Sequence, residues 1–452
     1  MVGPRGASIA EERAPPRRDR RQWWRAFSLP ASLQGVLFRP VGDGRLAPLD
    51  GLRGLACLWM LLSHVCWYAW VGSPGWLYAE LLRAPWLLPI WRGDFSIDIF
   101  FVLSGFLIGG LLLDEHALHG SVDVRRFYAR RALRLWPTLV VAVLLERACL
   151  GGHAEHELWP NLLYVSNLLP ILSVRMGWTW SLGIEEQFYV TVPWLMWGLA
   201  ALASRSSALR RRDPMLLGLL GLLGITLCLV TTLVVVEGMH LPDAEIALDR
   251  PLRVWARGYD VLYSKPWMRA GPIFVGLVCA RLYRTPGFMA RLSQTGVAGT
   301  LGLVLACAVG GAIILLPADA ELPRPLEVAY LASYRTVFGI AVAYGMLLVL
   351  TEHAVGRSLG RVLAAPLFFP LGQVSYTTYL LNPIVATLSH GAFGPLLPSV
   401  GATVAILALI DVPLSFAAGF SLSVLIERPF MELRRFVAAS PLASPLPAQP
   451  AA

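Results

Sequence analysis

The sequence predicts an all-α polytopic membrane protein of about ten transmembrane helices, with both termini in the cytoplasm. Three observations predict it. Of 452 residues, 56% are hydrophobic and only 15% charged, where a soluble domain carries about 25% charge. Apolar runs near the length needed to cross a bilayer, about 20 residues, recur along the chain. The positive charge is nearly all arginine, with Lys265 the single lysine, and it gathers between those runs as cytoplasmic loops require.

The elements follow in order. Residues 1–45 are rich in arginine and proline and lack the apolar core of a signal peptide; they are expected to be a disordered basic arm. Residues 46–435 form the transmembrane domain. Its spans are expected near 52–71, 95–113, 135–150, 179–203, 214–236, 270–283, 296–316, 331–351, 367–390 and 401–426. The third and sixth are short and call for tilt or flanking extension. Residues 436–452, ending ASPLASPLPAQPAA, read as a disordered tail.

Arginine sets the orientation. It crowds the arm and the loops expected at 114–134 (Arg125, Arg126, Arg130, Arg131, Arg134), 204–213 (Arg205, Arg210, Arg211, Arg212), 281–293 and 352–366, and then the C-terminal end. With ten spans all these fall on one side, the cytoplasm. The segment 237–269 is basic yet falls outside, but its acids, Asp260 among them, roughly balance it. It is expected to be a structured outer element. The formal charge of +9 is thus explained by topology and lipid phosphates, and no nucleic-acid partner is implied. Cys57, Cys66, Cys149, Cys228, Cys279 and Cys307 form no CxxC pair, so neither a disulfide framework nor a metal site is expected.

Ionisable groups inside spans are costly and mark function by default. In LDGLRGLACLWMLLSHVCWYAWV, Leu49 to Val71, Arg53 and His64 are eleven residues apart, which is near three turns and about 16 Å of axis. They share a face without touching, like two stations along one path. Glu185 and Glu186 in GWTWSLGIEEQFYV, Asn382 in VSYTTYLLNPIV and Asp411 in the tenth span fall at a similar depth in the outer half. A polar cavity explains this gathering. Plainer readings stand beside it: His64 as a helix–helix hydrogen bonder, Glu185 as the partner of Arg335 or Arg269, and Asn382 as relief for a helix kinked at Pro383. On the inner side, RRFYARRALRLWP places Arg131 and Arg134 three apart on one helix face. They read either as positive-inside anchors or as a phosphate clamp that Arg53 joins.

Several ordered blocks together resemble the membrane acyltransferase-3 family, the group that includes O-antigen and other cell-surface polysaccharide acetylases. They are LDGLRGLACLWMLLSH, FSIDIFFVLSGFLI, RRFYARRALRLWP, WSLGIEEQFY, VSYTTYLLNPIV and IERPF, and they make 46–435 an acyltransferase-3-like domain. The stretch YDVLYSKPWMRAGPIFVG, around Lys265 and Arg269, is more similar to the nose-resistant-to-fluoxetine branch. The family often carries histidine where Asn382 stands.

The resemblance implies a multi-pass O-acyltransferase of the plasma (inner) membrane, surrounded by membrane lipid. Its donor is acyl-CoA, with acetyl-CoA the one expected. Its acceptor is a hydroxyl of a glycan or lipid-linked saccharide of the cell envelope. Arg53, Arg131 and Arg134 would hold the donor phosphates, and His64 would be the general base. Glu185 would orient or stabilise the imidazole. Glu186, Tyr379 and Asn382 would meet substrate, the last two as oxyanion donors. No GxSxG elbow is present, which favours direct transfer. Two other readings use the same buried charges: a transporter of a lipid-linked saccharide or small molecule, and a non-catalytic relative.

Overall fold

The computed structural model describes residues 26–40, 44, 46–72, 87–151, 157–203, 207–238, 252–285, 287–316, 322–393 and 400–437. Among the described residues the fold is helical, with no strand beyond a single bridge between Glu157 and Val174. In order the longer helices are α1 (Leu29–Leu37), α2 (Pro48–Gly72), α3 (Ser96–His119), α4 (Val124–Leu150), α5 (Trp180–Ala203), α6 (Ser207–Gly238) and α7 (Leu252–Leu262). They continue with α8 (Gly271–Tyr283), α9 (Val297–Leu315), α10 (Arg324–Val349), α11 (Ala354–Leu363), α12 (Ser375–Phe393), α13 (Val400–Leu422) and α14 (Arg428–Val437). Each of the ten predicted apolar runs is helical. Among the described residues six stretches are long and apolar enough to cross a membrane: Pro48–Ala69, Leu88–His119, Leu220–Gly238, Val297–Leu315, Arg324–Val349 and Val404–Arg434. The arm through residue 25, Arg205, the stretch 239–251 and the tail beyond residue 437 lie outside the described residues.

Two loops are shorter than expected, because arginine is a good helix former and extends the helices into them. α3 runs to His119, where Gly120 at φ 70° ends it in a left-handed cap. α4 begins at Val124 after Asp123, whose carboxylate accepts the Arg126 N–H at 3.0 Å. Arg125 through Arg134 therefore lie on a helix, not in a loop. α6 likewise starts at Ser207 and takes in residues 210–212.

Short α8 is central. A Cβ at Gly276 would stand 2.1 Å from the Val102 carbonyl oxygen, and one at Gly105 would stand 1.9 Å from that of Ile273. Glycine on both sides thus lets the α3 and α8 backbones touch, as small residues do in membrane helix pairs. Beside this contact lies a buried ionic layer. Arg335 Nη1 of α10 donates to Asp98 Oδ2 of α3 at 2.8 Å, and its Nη2 bonds Asp94. Arg269 Nη2 is 3.5 Å from Asp98 Oδ1, and the guanidinium is stacked between Trp180 at 4.7 Å and Tyr263 at 4.6 Å. Lys265 Nζ donates to the Asn167 carbonyl at 2.7 Å, and Asp260 accepts the Ile171 N–H at 2.8 Å. The described part of 237–269 is thus structured and bonded into the fold.

α2 and α12 run side by side in parallel. Cys57 meets Ser375, His64 meets Asn382 and Tyr68 meets Pro383, so successive turns of one helix face successive turns of the other.

Candidate functional site

A cavity of about 570 Å³ opens among α2, α3, α4, α5, α12 and the start of α14. By helix order, Arg53 near the start of α2, Arg130, Arg131 and Arg134 in the first half of α4, and Arg428 and Arg434 of α14 line its basic mouth. Ile97, Phe101, Ser104, Ser181, Glu185 and Tyr379 line its deeper part.

Spacing explains the basic wall. Positions 130, 131 and 134 share a face of α4, and the helix points that face inward. Arg131 lies 4.3 Å above the Tyr189 ring and 5.9 Å from that of Phe127, which fixes a guanidinium while leaving its N–H edge free. Several other arginines are ion-paired: Arg175 with Glu146 at 2.5 Å, Arg284 with Asp114 at 2.6 Å, Arg335 with Asp98 at 2.8 Å. Arg53, Arg131 and Arg134 form no ion pair among the described residues, and Arg134 Nε is sealed from solvent without a partner. Buried donors are nearly always satisfied. Unpaired guanidiniums facing a cavity therefore suit an anion with several oxygens, and phosphate fits their fork geometry.

Glu185 is the carboxylate of the cavity wall. Ser104 Oγ donates to its Oε1 at 2.7 Å, and Tyr189 Oη, one turn along α5, donates to its Oε2 at 3.3 Å. Glu186 points about 100° away and does not line the cavity; its Oε1 is buried without a partner. A second carboxylate, Glu427, lines the mouth and accepts from Ser423 Oγ at 2.7 Å. The π-helical turn Ser423–Glu427 between α13 and α14 aims it there, an irregularity often found at functional sites.

His64 stands apart from this wall. Its Nδ1 is 2.5 Å from Asn382 Oδ1, and Asn382 Nδ2 donates to Ser415 Oγ of α13 at 3.1 Å. One turn further along α2, Tyr68 Oη donates to the Pro383 carbonyl at 3.0 Å, and Ser389 bonds Asp411.

The single polar layer expected from depth is thus divided among three sets of helices. His64 and Asn382 do meet. Glu185 is bonded to Ser104 and Tyr189 instead of the imidazole. It is not paired with Arg335 or Arg269 either, because Asp94 and Asp98 take those guanidiniums. Tyr379 lines the cavity, but its hydroxyl donates to the Trp178 carbonyl and lies 2.6 Å from Ser181 Oγ. The Asn382 amide is engaged at both ends. Tyr379 is thus left without a free hydroxyl proton, and Asn382, whose Nδ2 keeps one N–H, is 0% exposed and does not line the cavity. Sequence reasoning missed Ser104, Ser181, Tyr189 and Glu427. All four lie inside the family-like blocks (FSIDIFFVLSGFLI, WSLGIEEQFY and IERPF), so block membership was the available signal.

Residues 46–428 match the family model described as the acyltransferase domain of acyltransferase-3 type. The chain is 23% identical to "Nose resistant to fluoxetine protein 6" of Caenorhabditis elegans over 412 residues, covering 80% of this chain and 47% of that protein. It is 32% identical to a "Putative O-acetyltransferase" of Staphylococcus aureus over 162 residues, covering 32% of this chain and 24% of that one. Against a "Putative peptidoglycan O-acetyltransferase" of Bacillus subtilis it is 31% identical over 178 residues, covering 35% and 25%. The chain thus spans about half the length of the worm protein and about a quarter of the bacterial ones. No solved structure matches it. The repeated apolar helices and the family match describe a multi-pass membrane protein, and the chain belongs to the acyltransferase-3 family.

Proposed function

We propose that the protein is an O-acyltransferase that takes an acyl group, acetyl foremost, from cytoplasmic acyl-CoA and places it on a hydroxyl of a glycan or lipid-linked saccharide of the cell envelope. The observation that carries this reading is the set of unpaired guanidiniums, Arg53, Arg131 and Arg134, facing one cavity that also holds Glu185. In this reading ten helices span the inner membrane with both termini in the cytoplasm, so the basic mouth faces the cytoplasmic donor. The relatives named as O-acetyltransferases support the reaction class.

The arginines hold the phosphates of the donor and draw its acyl-pantetheine arm inward, where Ser181 and Phe101 wall the deep end. His64 takes the proton of the acceptor hydroxyl. The acceptor oxygen bonds the acyl carbon, the carbon–sulfur bond breaks, and the proton passes from His64 to the leaving sulfur, which departs as the free thiol. Glu185, held by Ser104 and Tyr189, places a carboxylate in the wall of the donor cavity. No metal enters the scheme.

The test is acyl transfer by the purified protein in lipid, with acetyl-CoA labelled in the acyl group, together with mass spectrometry of envelope glycans and lipids from cells with and without the gene. Label in an extracytoplasmic acceptor, matched by a mass difference in the cells, is the expected result. Label that stays on the donor, with a saccharide accumulating on one side of the membrane, is the outcome of a carrier and would sink the enzyme reading.

A further inference from the structure

Asn382 has two polar atoms, and the structure uses both. Its Nδ2 donates to Ser415 Oγ at 3.1 Å, which turns Oδ1 toward His64 Nδ1 at 2.5 Å. Asn382 and Ser415 are both 0% exposed, so no water competes for either contact. An amide oxygen can only accept, so the shared proton sits on His64 Nδ1. A neutral imidazole with its proton on Nδ1 carries its lone pair on Nε2. Nε2 makes no hydrogen bond among the described residues, and His64 is only partly buried.

We propose that Asn382 is the positioning residue that holds His64 in the Nδ1–H tautomer and leaves Nε2 as the atom that takes the acceptor proton. The inference rests on the acyl-transfer reading for its catalytic meaning, and on the Asn382 contact for its geometry. A second tie between α2 and α12 serves the same end. Pro383 follows Asn382, and its carbonyl accepts the Tyr68 hydroxyl at 3.0 Å, so α2 is tied to α12 on the turn after His64 as well. Ring rotation would break the Asn382 bond, and sliding of α2 would break both.

The ionisable groups near this level on the packed elements are Cys66 and Tyr68 on α2, Tyr379 on α12, Asp411 on α13, Asp98 at the start of α3, and Arg92 and Asp94 on the 3-10 turn before it. Asp94 and Asp98 are bonded to Arg335, and Asp411 to Ser389. None is bonded to the imidazole among the described residues, which leaves the neutral Asn382 as its partner.

Two substitutions separate the possibilities. Asn382→Asp keeps an acceptor for Nδ1–H and loses the donor. Asn382→Leu keeps the volume and loses both. For Asn382→Asp the expected result is turnover within about tenfold of wild type, with the acid limb of the pH–rate profile moved to higher pH, because a carboxylate favours the imidazolium. For Asn382→Leu a kcat loss of about a hundredfold is expected, with KM for acyl-CoA within about twofold, as for a group acting only on the base. Wild-type kcat in Asn382→Leu overturns the proposal. So does an Asn382→Asp protein as inactive as Asn382→Leu, which would mean that the amide donates to His64.

A readout independent of turnover is the carbethoxylation of His64 by diethyl pyrocarbonate in the intact protein, followed by mass spectrometry of its peptide across pH. The reaction needs the neutral ring. A higher midpoint in Asn382→Asp than in wild type is expected, and an unchanged midpoint overturns the contact. A wild-type protein that transfers no acyl group, with the midpoint still raised in Asn382→Asp, would defeat the proposed function and leave this contact standing.

Discussion

Ser104 of α3 and Glu185 of α5 meet at 2.7 Å across the wall of the basic cavity. The contact joins two sequence blocks eighty-one residues apart and decides which of the adjacent glutamates faces the cavity. Removing the serine hydroxyl leaves a buried carboxylate oxygen short of a donor, which costs about 1.5–3 kcal/mol for a charged group. Ser104→Ala is therefore expected to lower kcat by about tenfold or more with little change in the affinity for acyl-CoA. Steady-state kinetics across acyl-CoA concentrations check this; an unchanged kcat would mean that Glu185 has no part in the chemistry.

His64→Ala is expected to abolish acyl transfer while the protein stays inserted and folded, because the general base is lost and little packing goes with it. General bases contribute roughly 10²–10⁴-fold. Acyl incorporation by membranes carrying the variant, with its abundance and melting temperature matched to wild type, checks this. Near-normal product from His64→Ala would return the residue to a helix–helix hydrogen bond.

Arg131→Ala combined with Arg134→Ala is expected to weaken CoA binding by about a hundredfold or more, since each charge-assisted contact contributes about 1.5–3 kcal/mol. The wild-type affinity is expected to fall with added salt, and that dependence to flatten in the variant. Calorimetry with CoA at two ionic strengths reads both quantities. Unchanged affinity would make these arginines membrane anchors alone.

Much of this fold was legible because a bilayer forces simple patterns. Spans need apolar length, so ten apolar runs could be placed from hydropathy and are helical here, six of them among the described residues long and apolar enough to cross a membrane. Depth along a helix was legible as well, and it brought His64 and Asn382 to one level before their contact was seen. What depth cannot supply is azimuth. Glu185 and Asp411 were expected at the same level, yet they face different neighbours, because each helix is rotated by packing contacts that no local pattern encodes. The close approach of α3 and α8 at Gly105 and Gly276 turns Asp98 toward Arg335, and that rotation removes Arg335 as a partner for Glu185. Glu427 was hidden for another reason: its aim depends on a π turn, a backbone irregularity with no residue signature of its own.

The Asp98–Arg335 pair yields the last prediction. Asp98 is 0% exposed and Arg335 5% exposed, and Arg335 also bonds Asp94 while Arg269 leans on Asp98 from the other side. Breaking a buried pair by removing one member leaves an uncompensated charge, at a cost of about 3–5 kcal/mol. Asp98→Asn is nearly isosteric, so its effect is electrostatic and not a cavity. It leaves Arg335 with Asp94 but deprives Arg269 of its carboxylate. Asp98→Asn should therefore lower the melting temperature in detergent markedly, and Asp98→Asn with Arg269→Met should recover part of the loss, because the second change removes the stranded guanidinium. The double-mutant cycle measures that coupling directly. Additive losses would mean that Arg269 is held by Trp180 and Tyr263 alone and that Asp98 serves only Arg335.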